Sequence, residues 1–350
     1  MNIFIHVKSQ RTMNTENIIG RISTVVKQAQ ADKVNYEQIW SESSGKRLKH
    51  EFLFFIKPEI TKSSTSIDLH EILHTVFEKL NHFHLCVEDI RLLSANYLKQ
   101  YNIIARHYGV INQMSKNPQH HLSAEAKANF FKLFGKHPDK VQLTGSIDFI
   151  EKYPDYNPFT LNDLWKNSVT SKLAGGTYCA PVSIGGEEVY LINGFHPLQL
   201  IHFTEKGRSI VVFRLSGDTD WSVARNSFIG KTNPADALPG SLRNILLTRE
   251  KHFGLSDISA SQNGFHLSAG PVEGLVELIR YLSDYSGHDI RKTGDFNFGK
   301  SLQAHFTDKE VETICNNSIV NYKGALISVF DLTEEKNSNE ALELLKESHL

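Results

Sequence analysis

Cysteine is scarce in this 350-residue chain: Cys86, Cys179 and Cys315 stand far apart and match no metal-ligand spacing, which excludes a disulfide framework and a cysteine metal site. A reducing, cytoplasmic setting is expected. Neither charge is in excess, with Lys+Arg 38 against Asp+Glu 39 and a net charge of -1, so no global attraction to nucleic acid or to an anionic membrane is implied. Any anion site must be local. No apolar run approaches the length of a membrane span. The opening Met1–Val7 stretch is soon followed by Lys8 and Arg11, too early for a secretory segment, and residues 2–7 are read as a short strand. Internal repeats are lacking too. What is present is ordinary for a folded protein, hydrophobic content 40% and charged content 22%, at a length that suggests roughly two domains.

Periodicity then organises the chain. Glu16 to Ala31 has helical spacing, Ser41 to Lys46 reads as a loop, and residues 1–50 are taken as an N-terminal extension. Phe52-Leu53-Phe54-Phe55-Ile56 is a continuous apolar run ended by Lys57-Pro58-Glu59, as expected of a strand buried on both faces. Ser64 or Thr65 would cap a helix with apolar positions from Ile67 to Leu80; a strand at about 83–93 and a helix from Ala95 to Tyr108 follow. Between 111 and 189 the composition changes, with a polar Asn112–His121 stretch, a helix-like Ser123–Phe134 and glycine pairs at 175–176 and 185–186 flanking a hairpin element. This region is read as an inserted subdomain. Ser209–Leu215 is another buried strand, Trp221–Ile229 a helix, and Glu273–Tyr285 an amphipathic helix. Residues 287–350 form a C-terminal extension: a loop, a strand at Ala325–Phe330 and an acidic helix at Glu334–Leu345. The succession gives an α+β fold compatible with a ferredoxin-like, split βαβ antiparallel sheet covered by helices, spanning 51–286.

Two stretches carry chemistry. Gly230-Lys231-Thr232-Asn233-Pro234-Ala235-Asp236-Ala237-Leu238-Pro239-Gly240-Ser241-Leu242-Arg243 is a Gly/Pro-punctuated loop that offers backbone N–H groups and a guanidinium to an anion. Asn263-Gly264-Phe265-His266-Leu267-Ser268 sets a histidine at a strand end. Together they make a candidate phosphate site beside a candidate nucleophile. In a chain with 17 histidines, one at a strand end is ordinarily a half-buried polar residue, and Asn233-Pro234 is a turn signal in its own right. His82 and His84 on one strand face and the adjacent His120-His121 lack a third ligand, so no metal site is expected from them.

These residues resemble a known family. The 229–243 loop is similar to the Gly-x-Thr-Asn-Pro-Ala-Asp…Pro-Gly-Thr-Ile-Arg loop of nucleoside diphosphate kinases. Phe55-Ile56-Lys57-Pro58-Glu59 resembles that family's first strand, and Asn263–Ser268 resembles its Asn-x-x-His-Gly-Ser segment, all in the family's order. The resemblance covers roughly residues 51–110 and 190–285. It implies a ping-pong phosphotransferase that moves the γ-phosphate of a nucleoside triphosphate to a nucleoside diphosphate through a phosphohistidine on His266. Glu277 would orient the imidazole, Lys57 would take part in catalysis by neutralising phosphate charge, and Lys57, Phe195, Arg225, Thr232, Arg243, Asn263 and Ser268 would bind nucleotide, with Mg²⁺ carried by the nucleotide's phosphates rather than by the protein. A homo-oligomer is implied, without nucleic-acid or membrane partners.

The chain also departs from that pattern. Leu267-Ser268-Ala269-Gly270 stands where the family has Gly-Ser-Asp-Ser, and Arg225 lies one residue further from Asn233 than the family's arginine does from its asparagine. These departures and the 111–189 insertion leave two other readings: the same donor half-reaction with a non-standard small-molecule acceptor, or a non-catalytic nucleotide-binding or regulatory module.

Overall fold

The computed structural model describes residues 14–42 and 48–349. The strand expected at 2–7 and the 43–46 part of the expected loop lie outside them. The chain divides into two compact units, one comprising the described residues up to Ser94 and from Ser209 onward, the other Ala95–Arg208.

In the first unit, helix α1 (Thr15–Gln30), strand β1 (Tyr36–Ser41), strand β2 (His50–Ile56), helix α2 (Leu69–His82) and strand β3 (Cys86–Ser94) come first. Strands β4 (Ser209–Gly217) and β5 (Phe265–Leu267) and helix α3 (Pro271–Leu282) follow. The sheet order is β1-β3-β4-β2-β5 and every neighbouring pair is antiparallel. Because side chains alternate along a strand, Phe52, Phe54 and Ile56 of β2 join Ile19 and Ile22 of α1 and Leu73, Val76 and Phe77 of α2 in one core. Leu53 and Phe55 face the other way. On that side α3 packs against β2, so β2 is buried along its whole length, as its unbroken apolar run predicts.

Residues 15–41, expected as an extension, join the unit: α1 supplies part of its core and β1 is the sheet's edge strand. The 287–350 region is more regular than a loop with one strand and one helix. Helices Asn297–His305, Asp308–Cys315, Val329–Thr333 and Ser338–Glu347 pack against α3, and Ile319–Tyr322 pairs with Ala325–Ser328. Asp68, rather than Ser64 or Thr65, caps α2 by accepting from the Glu71 N–H.

The second unit holds a sheet of strands Leu143–Gly145, Glu187–Ile192, Thr177–Ile184 and Ser171–Ala174 in that order, the first pair parallel and the others antiparallel. Gly185 and Gly186 both take positive φ in the hairpin turn, the conformation a tight two-residue connection requires. The unit is wider than the expected 111–189 insertion because helices Ala95–Gln100, Ile103–His107 and His196–Thr204 pack with one another inside it. Among the described residues no helix is long and apolar enough to cross a membrane.

Candidate active site

Strand β5 pairs with the end of β2, Phe54 opposite Leu267, Phe55 opposite His266 and Ile56 opposite Phe265. Period-two alternation sends Phe265 and Leu267 into the core beneath α1 and α2, and His266 to the opposite face. There its imidazole stacks on Phe55, ring centroids 4.5 Å apart and planes 19° from parallel. Helix α3 presents Glu277 to it. The His266 Nε2 lies 3.0 Å from each carboxylate oxygen of Glu277, whose side chain is 1% exposed against 16% for the histidine. A buried carboxylate against Nε2 favours the tautomer protonated there, which gives Nδ1 the nucleophilic lone pair.

Lys57 leaves the end of β2, and its backbone N–H donates to the Gly264 carbonyl at 2.8 Å. Its Nζ donates to Asn263 Oδ1 at 2.6 Å, and Asn263 Nδ2 donates in turn to the Thr232 carbonyl at 2.9 Å. Lysine, asparagine and the Thr232 loop are thereby one hydrogen-bonded chain. Gly264, at φ +77°, makes the turn into β5, and a Cβ there would stand 2.3 Å from Leu246 Cδ2. Its N–H donates to Glu59 Oε1 at 2.7 Å. Burial pushes the Lys57 ammonium down from 10.5 to about 8, with Glu59 opposing the shift and Arg243 adding to it. The lysine is therefore a cation whose surroundings under-stabilise its charge, a condition that an anionic ligand relieves.

Arg243 is 4% exposed. One terminal nitrogen donates to the Gly230 carbonyl and the other to the Phe265 carbonyl, both at 2.8 Å, so the guanidinium ties the start of the 230–243 loop to the strand that carries His266. Arg225 sits in a π-helical stretch, Ala224–Ile229, that continues the helical turn Trp221–Val223. Its guanidinium donates to the Leu267 carbonyl at 2.9 Å and lies 3.8 and 3.9 Å from the carboxylates of Glu334 and Glu335.

Lys57, Thr232, Arg225, Arg243, Asn263, His266 and Glu277 are thus linked by short contacts around β5. Ser268 is adjacent but fully buried: its hydroxyl donates to the Leu53 carbonyl and accepts from the Leu53 N–H, extending the β2–β5 pairing. Phe195 belongs to the other unit, where its ring packs against Trp165 at 5.9 Å and Tyr178 at 6.1 Å. The histidine pairs are placed differently from the sequence expectation. His82 ends α2 and His84 lies in the following turn at φ +52°, so they share no strand face; His120 and His121 are exposed at the end of helix Pro118–His121.

Three neighbours of the site escaped the sequence reading. Glu59 follows the Lys-Pro stop directly, and Phe55 could have been assigned to the His266 face from the period of β2. Glu273 lies one helical turn before Glu277 and accepts the Ala269 N–H at 3.0 Å; burial first, and then the Glu277 carboxylate, hold its carboxyl above the usual range. Compared with protein-family models and with curated proteins, the chain matches none.

Proposed function

We propose that the chain is a phosphotransferase of the nucleoside diphosphate kinase type, taking the terminal phosphate of a Mg²⁺–nucleoside triphosphate complex onto His266 and passing it to a diphosphate. The observation that carries this reading is the Glu277 carboxylate at 3.0 Å from His266 Nε2, with the Lys57–Asn263–Thr232 chain on the same strand turn. The β3-β4-β2-β5 order, with β1 added at its edge, supports a ferredoxin-like sheet beneath it.

In the first half-reaction the Nδ1 lone pair attacks the γ-phosphorus in line with the leaving oxygen. An N–P bond forms, the bond to the β,γ-bridging oxygen breaks, and the nucleoside diphosphate departs with that electron pair. The Nε2 proton stays in place, and the Glu277 carboxylate stabilises the positive charge that develops on the ring. Lys57 meets phosphate oxygens as a cation. Arg243 and Arg225, with hydrogen bonds to the Phe265 and Leu267 carbonyls, brace the residues on either side of the nucleophile. In the second half-reaction a terminal phosphate oxygen of the acceptor attacks phosphorus and the imidazole leaves. A homo-oligomer belongs to the same reading, and a monodisperse monomer in light scattering would refute that part of it.

Incubation with γ-labelled ATP and Mg²⁺ tests the proposal. The expected product is an acid-labile, base-stable label on the wild type that His266→Asn removes. No label on the wild type contradicts the proposal; nucleotide binding without label marks a binding module, and label that passes to no diphosphate marks a different acceptor.

A further inference from the structure

Leu267-Ser268-Ala269-Gly270, the stretch that departs from the family pattern, is also the connection between the strand that carries His266 and the helix that carries Glu277. Its geometry therefore sets how the imidazole meets the carboxylate. The segment Thr333–Glu335, from the C-terminal extension, lies against it. The Glu335 N–H donates to the Ala269 carbonyl at 2.9 Å. A Cβ on Gly270 would stand 2.5 Å from the Thr333 carbonyl oxygen, and since Gly270 has an extended φ of -164°, it is this close approach, not the backbone conformation, that requires glycine. Thr333 is fully buried, and Glu335 holds φ +56°, a left-handed conformation that a non-glycine residue keeps only where its surroundings impose it. From the other sides Arg225 holds the Leu267 carbonyl and Glu273 holds the Ala269 N–H. The Glu334 and Glu335 carboxylates flank the Arg225 guanidinium.

We infer that Thr333–Glu335 is a positioning element of the active site, which fixes the approach of His266 to Glu277 by pinning the connection between them. The Ala269-Gly270 departure is the imprint of this docked segment: glycine leaves the room the Thr333 carbonyl occupies. The inference rests on the role proposed above for His266. None of the three residues needs to touch substrate. Their effect passes through the backbone of 267–270, where a displacement of an ångström costs about a hundred-fold in rate in comparable sites.

The test is Gly270→Ala, with Glu335→Gly as its companion, each read by labelling kinetics and by the nitrogen resonances of the His266 imidazole. Gly270→Ala should slow phosphohistidine formation at least about ten-fold with the KM for ATP within about two-fold. The imidazole should change from a single Nε2–H tautomer to a mixture. Glu335→Gly keeps the N–H donor but withdraws one carboxylate beside Arg225, so it should slow labelling less than Gly270→Ala does and should keep the single Nε2–H tautomer. A folded Gly270→Ala with wild-type labelling and an unchanged imidazole spectrum overturns the inference. If wild type takes no label, the phosphotransferase reading fails, while the imidazole spectrum still decides this one. Should Gly270→Ala not fold, amide exchange in wild type decides. Protection of the Glu335 amide equal to that of the β5 amides supports the inference, and exchange at the rate of exposed loops overturns it.

Discussion

The two units bury charge in opposite ways. In the Ala95–Arg208 unit no Lys, Arg, Asp or Glu among the described residues is buried, and the Lys136–Glu188 ion pair lies at the surface, its partners 48% and 51% exposed. The other unit buries Glu51, Lys57, Glu59, Glu88, Asp89, Arg91, Arg243 and Glu277. Removing charges from water is costly unless each finds a partner, so the unit that carries β1–β5 bears a cost the Ala95–Arg208 unit avoids. Within it the charges again divide. Arg91 grips Asp89 through two hydrogen bonds of 2.8 and 3.0 Å and also bonds Tyr36 and the Leu282 carbonyl. Burial works against its charge, but Asp89 and Tyr36 together outweigh burial and hold the guanidinium above its usual range. Lys57 is held below its usual range. One cluster is electrostatically satisfied, and the other holds a cation whose surroundings under-stabilise its charge.

Substitutions can break that contrast, starting with the largest effect. His266→Asn should lower phosphohistidine formation at least about a thousand-fold with unfolding unchanged, as loss of a nucleophile does. Glu277→Gln, measured by the same labelling, should cost about a hundred-fold, because the ring loses its orienting carboxylate. Asp89→Asn should do the reverse: urea unfolding should show a loss of about 3–5 kcal/mol, since Arg91 is left buried without its counter-charge, while the rate per folded molecule stays at wild type.

Lys57 sharpens the contrast through pH. Its cation is present below about 8, so kcat/KM should fall as pH rises through that value, and Lys57→Arg should remove the fall. Its contribution to stability has the opposite sign. The folded pKa lies below the unfolded 10.5, so between about 8 and 10.5 the unfolded chain holds more protons, and the penalty of burying the charge is relieved as pH rises. A pH series of urea unfolding on wild type and Lys57→Arg should show wild type gaining stability relative to the variant across that window. Lys136→Ala, the smallest effect, should leave the thermal midpoint unchanged, because exposed pairs contribute little.

Strand β2, helices α1 and α3, and the Lys57, Asn263, His266 and Glu277 cluster were legible because each rests on local pattern: an apolar run, a 3.6-residue period, or a short motif in a fixed order. Strand β1, Tyr36-Glu37-Gln38-Ile39-Trp40-Ser41, was not, since an edge strand needs little apolar character and its pairing with β3 is a distant event. Helix Asp308–Cys315 carried a signal that went unread, the Thr307–Glu310 capping box at its start. Phe195 shows the limit of motif proximity: it lies near Pro197 in sequence, but Trp165 and Tyr178 determine where its ring goes. The docking of Glu335 on Ala269 has no local signature, because a backbone hydrogen bond between distant segments leaves only a glycine as its trace.

In the proposed reaction Glu277 holds Nε2 of His266 and leaves Nδ1 to attack phosphorus. Phosphorus and nitrogen resonance spectra of the protein after exposure to Mg²⁺ and a nucleoside triphosphate test it most directly. A single phosphoramidate on Nδ1 of His266 is the expected result; phosphate on Nε2, on another residue, or on none overturns the proposed mechanism.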